Sequence, residues 1–233
     1  QALASGTGSQ NTCIGAYAGY SSTTAGSNVA IGYAALHTED TDGAQVAIGY
    51  QALYTCNGGA QNTAVGYRAL MNSTTGAQNT AMGYDAMISN TTGNYNVAIG
   101  YLTLDANTTG SYNTAVGRTA LTALTTGVEN SAFGVSALYN ATTAAYNCAF
   151  GRSALNANTT GSQNNAFGHA SLDANTTGEQ NVGIGNSALG ANTTGSQSVA
   201  VGVNALGAHT TAGSSVAIGY NALKTVTTGI RNT

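Results

Sequence analysis

The chain has 233 residues and a formal net charge of −3, with charged residues at only 6% against about 25% in an ordinary soluble domain. With no Pro beside its 32 Gly it is not collagen, and its small net charge excludes charge-driven disorder. Five basic residues leave no footprint for nucleic acid or an anionic membrane surface, and no apolar run is long enough to span a bilayer.

Residues 1–10 read as a partial leading repeat. From residue 11 a unit of 17 recurs, marked by Gly15, Gly32, Gly49 and so on to Gly219 without insertion or deletion. Thirteen units fill residues 11–231, and 232–233 begin another, so the chain reads as a segment of a longer array. The unit approximates Asn-Thr-Ala-Val-Gly-Tyr-x-Ala-Leu-x-x-Asn-Thr-Thr-Gly-x-Gln. Taking the recurring Gly as position 0, position −1 is always large and apolar, as at Ile14, Val65, Met82 and Phe133. Position −2 is Ala except at Cys13 and Gly183, and position +4 is Leu except at Gly19 and Met87.

Seventeen residues are too few for helical repeats, which take about 33–47, whereas Thr, Val and Ile between turn signals favour strands. The expected coil has a strand through Asn-Thr-Ala-Val, a bend at Gly and a second strand through Tyr-x-Ala-Leu. It returns through Asn-Thr-Thr-Gly, where Asn and Gly tolerate left-handed backbone and Thr bonds the turn locally. The predicted fold is therefore an all-β parallel β-solenoid, or β-roll, of about 13 coils. At about 4.8 Å per coil it makes a rod roughly 60 Å long. Like charges recurring at that spacing repel, and Pro removes ladder donors, which accounts for the composition.

In Asn28-Val29-Ala30-Ile31 and Ser215-Val216-Ala217-Ile218 both faces of the strand are apolar. The expectation is that the large residues and the Leu column fill the coil's own core while the Ala column meets a neighbouring chain. A coil this small has a thin core, and association is the usual remedy.

Ser215-Val216-Ala217-Ile218-Gly219-Tyr220-Asn221-Ala222, Asn96-Val97-Ala98-Ile99-Gly100 and Ser198-Val199-Ala200-Val201-Gly202 resemble the S-V-A-I-G-x-x-A motif of trimeric autotransporter adhesin heads of the YadA type. The period here is longer than in those heads. The longer unit, as in Asn62-Thr63-Ala64-Val65-Gly66-Tyr67-Arg68-Ala69-Leu70 with Asn107-Thr108-Thr109-Gly110, is similar to arrays in phage and bacterial tail-fibre proteins, which often precede a C-terminal intramolecular chaperone domain. The resemblance implies a left-handed, parallel homotrimeric fibre on a virion or cell surface. It would be a rigid spacer whose first partner is itself and whose further partner is a cell-surface glycan or protein receptor, without catalytic residue or cofactor. Two other readings are an adhesin head binding host matrix or glycan, and an ice-binding β-solenoid.

The candidate sites follow in chain order. Tyr33, Tyr50, Tyr67, Tyr84 and Tyr101 occupy position +1 of five consecutive coils. Such a ladder either offers amphipathic rings to glycans or stacks between coils, and Arg118, Val135, Arg152, His169 and Asn186 interrupt it. The turn Thr38-Glu39-Asp40-Thr41-Asp42-Gly43 gathers acidic residues, making Asp40 and Asp42 candidate Ca²⁺ ligands. The full calcium-loop spacing is absent, which favours a solvated turn. His37, His169 and His209 stand at +5, +1 and +7 in distant coils, so no catalytic cluster and no enzyme activity is expected. Cys13, Cys56 and Cys148 lie too many coils apart to pair within the chain, leaving Cys56 as the candidate for an interchain bond. The Thr pairs resemble an ice-binding array, but Thr beside Asn and Gly in a turn bonds the backbone instead. Asn-x-Ser/Thr sequons at Asn72, Asn90, Asn107, Asn140, Asn158, Asn175 and Asn192 are by-products of that turn.

Overall fold

The computed structural model describes residues 8–21, 23–38 and 43–233. The chain divides into two compact units, Gln1–Asn113 and Thr114–Thr233. The first carries β1 (Thr12–Ile14), β2 (Val29–Ile31), β3 (Val46–Ile48), β4 (Thr63–Val65), β5 (Thr80–Met82) and β6 (Val97–Ile99). The second carries β7 (Thr114–Val116), β8 (Ser131–Phe133), β9 (Cys148–Phe150), β10 (Asn165–Phe167), β11 (Val182–Ile184), β12 (Val199–Val201) and β13 (Val216–Ile218). Within each unit consecutive strands pair in parallel at a register of one repeat, with Thr63 opposite Thr80 and Val182 opposite Val199. Each unit is a parallel β-solenoid of 17-residue coils, and the described residues contain no helix.

Each coil holds one strand, not two. Through Tyr-x-Ala-Leu the backbone is left-handed at every second residue, as at Arg68 (φ 51°) and Leu70 (φ 53°), which is incompatible with an extended ladder. Instead the amides of the two left-handed residues point to opposite neighbouring coils. The Arg68 N–H donates to the Tyr50 carbonyl of the preceding coil and the Leu70 N–H to the Ala86 carbonyl of the following one, each at 2.9 Å. A non-glycine residue in this region costs about 1–2 kcal/mol. Full burial of the Leu70 side chain, worth about 1.5–3 kcal/mol, offsets it. The other left-handed column is −5, as at Gln78 (φ 58°) and Tyr95 (φ 58°). The Asn-Thr-Thr-Gly turn contains none, contrary to expectation, and works through side chains described below.

The Leu column fills the interior as expected, but the strand faces the opposite way from the expected one. The Ala column at −2 points inward, with Ala47, Ala64, Ala149 and Ala200 fully buried beside the Leu column and the Ala at +3. The large residues at −1 point outward, with Met82 40%, Phe167 39% and Ile184 41% exposed. The lumen of so short a coil is filled by the Leu at +4, with the Ala methyl groups of −2 and +3 packed beside it. At position 0 a side chain is impossible. Gly151 sits at φ 137°, and a Cβ there would lie 2.5 Å from the Gly168 carbonyl oxygen.

Two polar columns complete the core. At −4, Asn62, Asn79 and Asn96 in the first unit and Asn130, Asn147, Asn164 and Asn181 in the second are buried. The Asn164 backbone N–H (2.9 Å) and Nδ2 (3.3 Å) both donate to Asn147 Oδ1, while Nδ2 also donates to the Gly178 carbonyl at 2.8 Å. At +7, Asn175 Nδ2 donates to Asn158 Oδ1 (2.8 Å) and, across its own turn, to the Gly178 carbonyl (3.0 Å). Buried amides are thus satisfied where like coils stack, whereas Asn107 Oδ1 and Asn192 Oδ1, followed in the column by Leu124 and His209, have no partner.

Candidate functional site

The outward side chains after each recurring Gly build two aromatic stacks in the first unit. Position +1 supplies Tyr33, Tyr50, Tyr67, Tyr84 and Tyr101, whose adjacent rings lie 5.0–5.4 Å apart and within 20° of parallel. These rings are 41–47% exposed, so stacking leaves part of each free. Position +5 supplies a second stack, with His37 between Tyr20 (5.2 Å) and Tyr54 (4.8 Å). The left-handed path between +1 and +5 turns the chain so that both positions reach the same side.

What separates the stacks is the side chain at +2. Arg68 and Asp85 fill it in adjacent coils. The Arg68 Nε donates to Asp85 Oδ1 at 2.9 Å and its second nitrogen to Oδ2, while the guanidinium lies 5.1 Å from the Tyr67 ring centre. That hydrogen bond to Asp85 pushes the Arg68 pKa further up. Two coils earlier the +2 residue is Ala34, and the gap stays open. Tyr17, Tyr33, Ala34, His37, Gln51 and Tyr54 line a cleft of about 200 Å³. Tyr17 closes one end, edge-on to Tyr33 (5.8 Å) and tilted against His37 (6.4 Å). Gln51 stands at the other. His37 Nδ1 is buried without a hydrogen-bond partner.

The remaining candidates separate. Asp40 and Asp42 lie outside the described residues. Among the described residues no group of three or more His, Cys, Asp or Glu is placed to hold a metal ion, and no helix is long and apolar enough to cross a membrane. Cys56 is not available for an interchain bond. It occupies the inward +7 column, fully buried, with its thiol donating to the Gly59 carbonyl at 3.1 Å and accepting from Gln45 Nε2 at 3.6 Å. Cys13 and Cys148 are half-buried free thiols whose pKa is pushed up by burial. Burial likewise pushes up the carboxyls of Asp105 and Asp173. His209 replaces Asn in the +7 column, fully buried. Burial lowers its pKa below the ordinary 6.5, against a weak contact of Nε2 with the Gly229 carbonyl at 3.4 Å. His169 is at +1 of its coil, and its charge acts against the burial of Asp173.

The first Thr of each Asn-Thr-Thr-Gly turn bonds the backbone, but of the next coil. Thr91 Oγ1 donates to the Thr108 carbonyl (3.0 Å) and Thr176 Oγ1 to that of Thr193 (3.0 Å). Two features escaped sequence reading, the +5 aromatic stack and the +2 gap. Their signal was present in Tyr20, His37 and Tyr54 at one column, and in Ala34 where the next coils hold Gln51, Arg68 and Asp85. The chain matches no family model, and no curated protein is significantly similar to it.

Proposed function

We propose that the chain is a non-enzymatic structural segment, a rigid shaft or spacer of a fibre on a virion or cell surface, assembled as a parallel homotrimer. The observation that carries this reading is the outward face of the strands. Positions −3 and −1 hold no charged residue in any of the thirteen strands. Position −1 carries Ile, Val, Met or Phe, with Phe133, Phe150 and Phe167 stacked at 4.5 and 5.1 Å. The interior is already filled, so this face has no role within a coil, and a partly exposed apolar column running along the strands of each unit marks an interaction surface. A second copy of the chain is the occupant that matches it, because only an identical solenoid repeats at the same spacing in every coil. The left-handed sense comes from the resemblance alone.

Sedimentation velocity at several concentrations tests the assembly. The expected species has three times the chain mass. A double variant, Ile99→Lys with Ile184→Lys, shifts it toward monomer while circular dichroism stays unchanged. A folded monomer at every concentration refutes the proposal.

A further inference from the structure

The geometry points to a binding site for a neutral pyranose ring in the cleft between the two aromatic stacks. The walls are ring edges, Tyr33 on one side and His37 with Tyr54 on the other, because the faces of Tyr33 and His37 are covered within their own stacks. The floor is the small, buried Ala34, and the ends are Tyr17 and Gln51. None of the described lining residues is Asp, Glu, Lys or Arg, which suits a neutral ligand. The lining is amphipathic, offering aromatic C–H edges and the Ala34 methyl group together with phenol hydroxyls, a carboxamide and an imidazole, polar groups able to exchange hydrogen bonds with hydroxyl groups. A sugar ring has that same mixture, C–H groups on its faces and hydroxyls at its rim. The volume, about 200 Å³, is below the range of about 300–1,000 Å³ for pockets that enclose drug-sized ligands. It takes one ring, with the rest of a glycan lying along the exposed Tyr ladder. The site lies on the side of the coil after the recurring Gly, apart from the strand face assigned to self-association, and does not rest on that assignment.

The +2 column supplies a test that spares the fold. Ala34 and Gln51 share the same backbone, both at φ 52°, so Ala34→Gln repeats in one coil what the next already contains and fills the cleft. Saturation-transfer difference NMR on the full chain, with methyl gluco-, galacto- and mannopyranosides as probes, reads binding. The expected result is transfer to the ring C–H protons of at least one probe, with a dissociation constant on the order of 1–10 mM for so small a ligand. Ala34→Gln and Tyr33→Ala should weaken it at least tenfold, and Tyr84→Ala, on the same ladder but outside the cleft, should leave it within twofold. Absence of transfer from all three probes overturns the proposal. So does undiminished transfer in Ala34→Gln, or an equal loss in Tyr84→Ala, which puts binding on the open ladder.

Discussion

Replacing Asn164 by Ala removes one rung from the buried amide column at −4 in the second unit. Its Oδ1 accepts the Asn181 backbone N–H at 3.0 Å and Asn181 Nδ2 at 3.1 Å. Asn181 Nδ2 keeps its bond to the Gly195 carbonyl (2.8 Å), and the Gly178 carbonyl keeps its bond from Asn175. The Asn181 amide is the group left buried and unpaired, at a cost of about 1–3 kcal/mol, with roughly 1 kcal/mol more for the side-chain bonds lost. The expected destabilisation is therefore about 2–4 kcal/mol. Asn164→Ser keeps an acceptor, as Ser198 does when its Oγ accepts the Ser215 amide at 3.4 Å. It should cost about half as much. Urea unfolding at fixed protein concentration measures both, and hydrogen exchange locates the effect, with protection lost at Asn181 and its immediate coils. A change below 0.5 kcal/mol for Asn164→Ala, on the order expected for a surface substitution, refutes the assignment of the column as a structural ladder. Equal losses for Ser and Ala refute the assignment of its acceptor.

Gly151→Ala, which places a Cβ 2.5 Å from the Gly168 carbonyl oxygen at φ 137°, should cost about 2–4 kcal/mol by urea unfolding. Gly190→Ala, whose Cβ would stand 3.2 Å from its nearest neighbour, should stay within about 1 kcal/mol. Because burial lowers the His209 pKa, the unfolded chain takes up this proton more readily. Stability is then full above the ordinary value of 6.5 and falls by about 1.4 kcal/mol per pH unit below it, until the folded-state pKa is passed. Thermal melts at pH 7 and 5 should show this loss, and His209→Asn, which restores the column's amide, should remove it. Asp105 and Asp173, raised by burial, act with the opposite sign and are common to both chains.

The period, the strand at Thr63–Val65 and its counterparts, and the use of Thr hydroxyls on backbone were legible because each follows from composition within one unit. Which face of the strand points inward was not. Val29 and Ile31 on one side of Ala30 are the stronger hydrophobes, and transfer energy alone sends them inside. The decision belongs to the width of the lumen, which is set by left-handed residues such as Ala34 and Leu36. Those conformations run against local preference and exist because the neighbouring coils complete their hydrogen bonds. The cleft was hidden for the same reason. Tyr33 and His37 share a side only once the chain between them has turned, although the +1 ladder itself was plain in the column.

The coil-to-coil bonds of this backbone join residues 15 to 18 positions apart, as from Leu70 to Ala86 or Arg68 to Tyr50. The loop that must close to add a coil is therefore the same at every step, and its entropic cost does not grow with the array. Folding can advance as a zipper, each finished coil serving as the template for the next. Relative contact order falls as units are added, so lengthening by whole repeats leaves the speed of each step unchanged. A single inserted residue has the opposite effect, since it throws the Asn, Leu and Gly columns out of step with the preceding coil at one stroke.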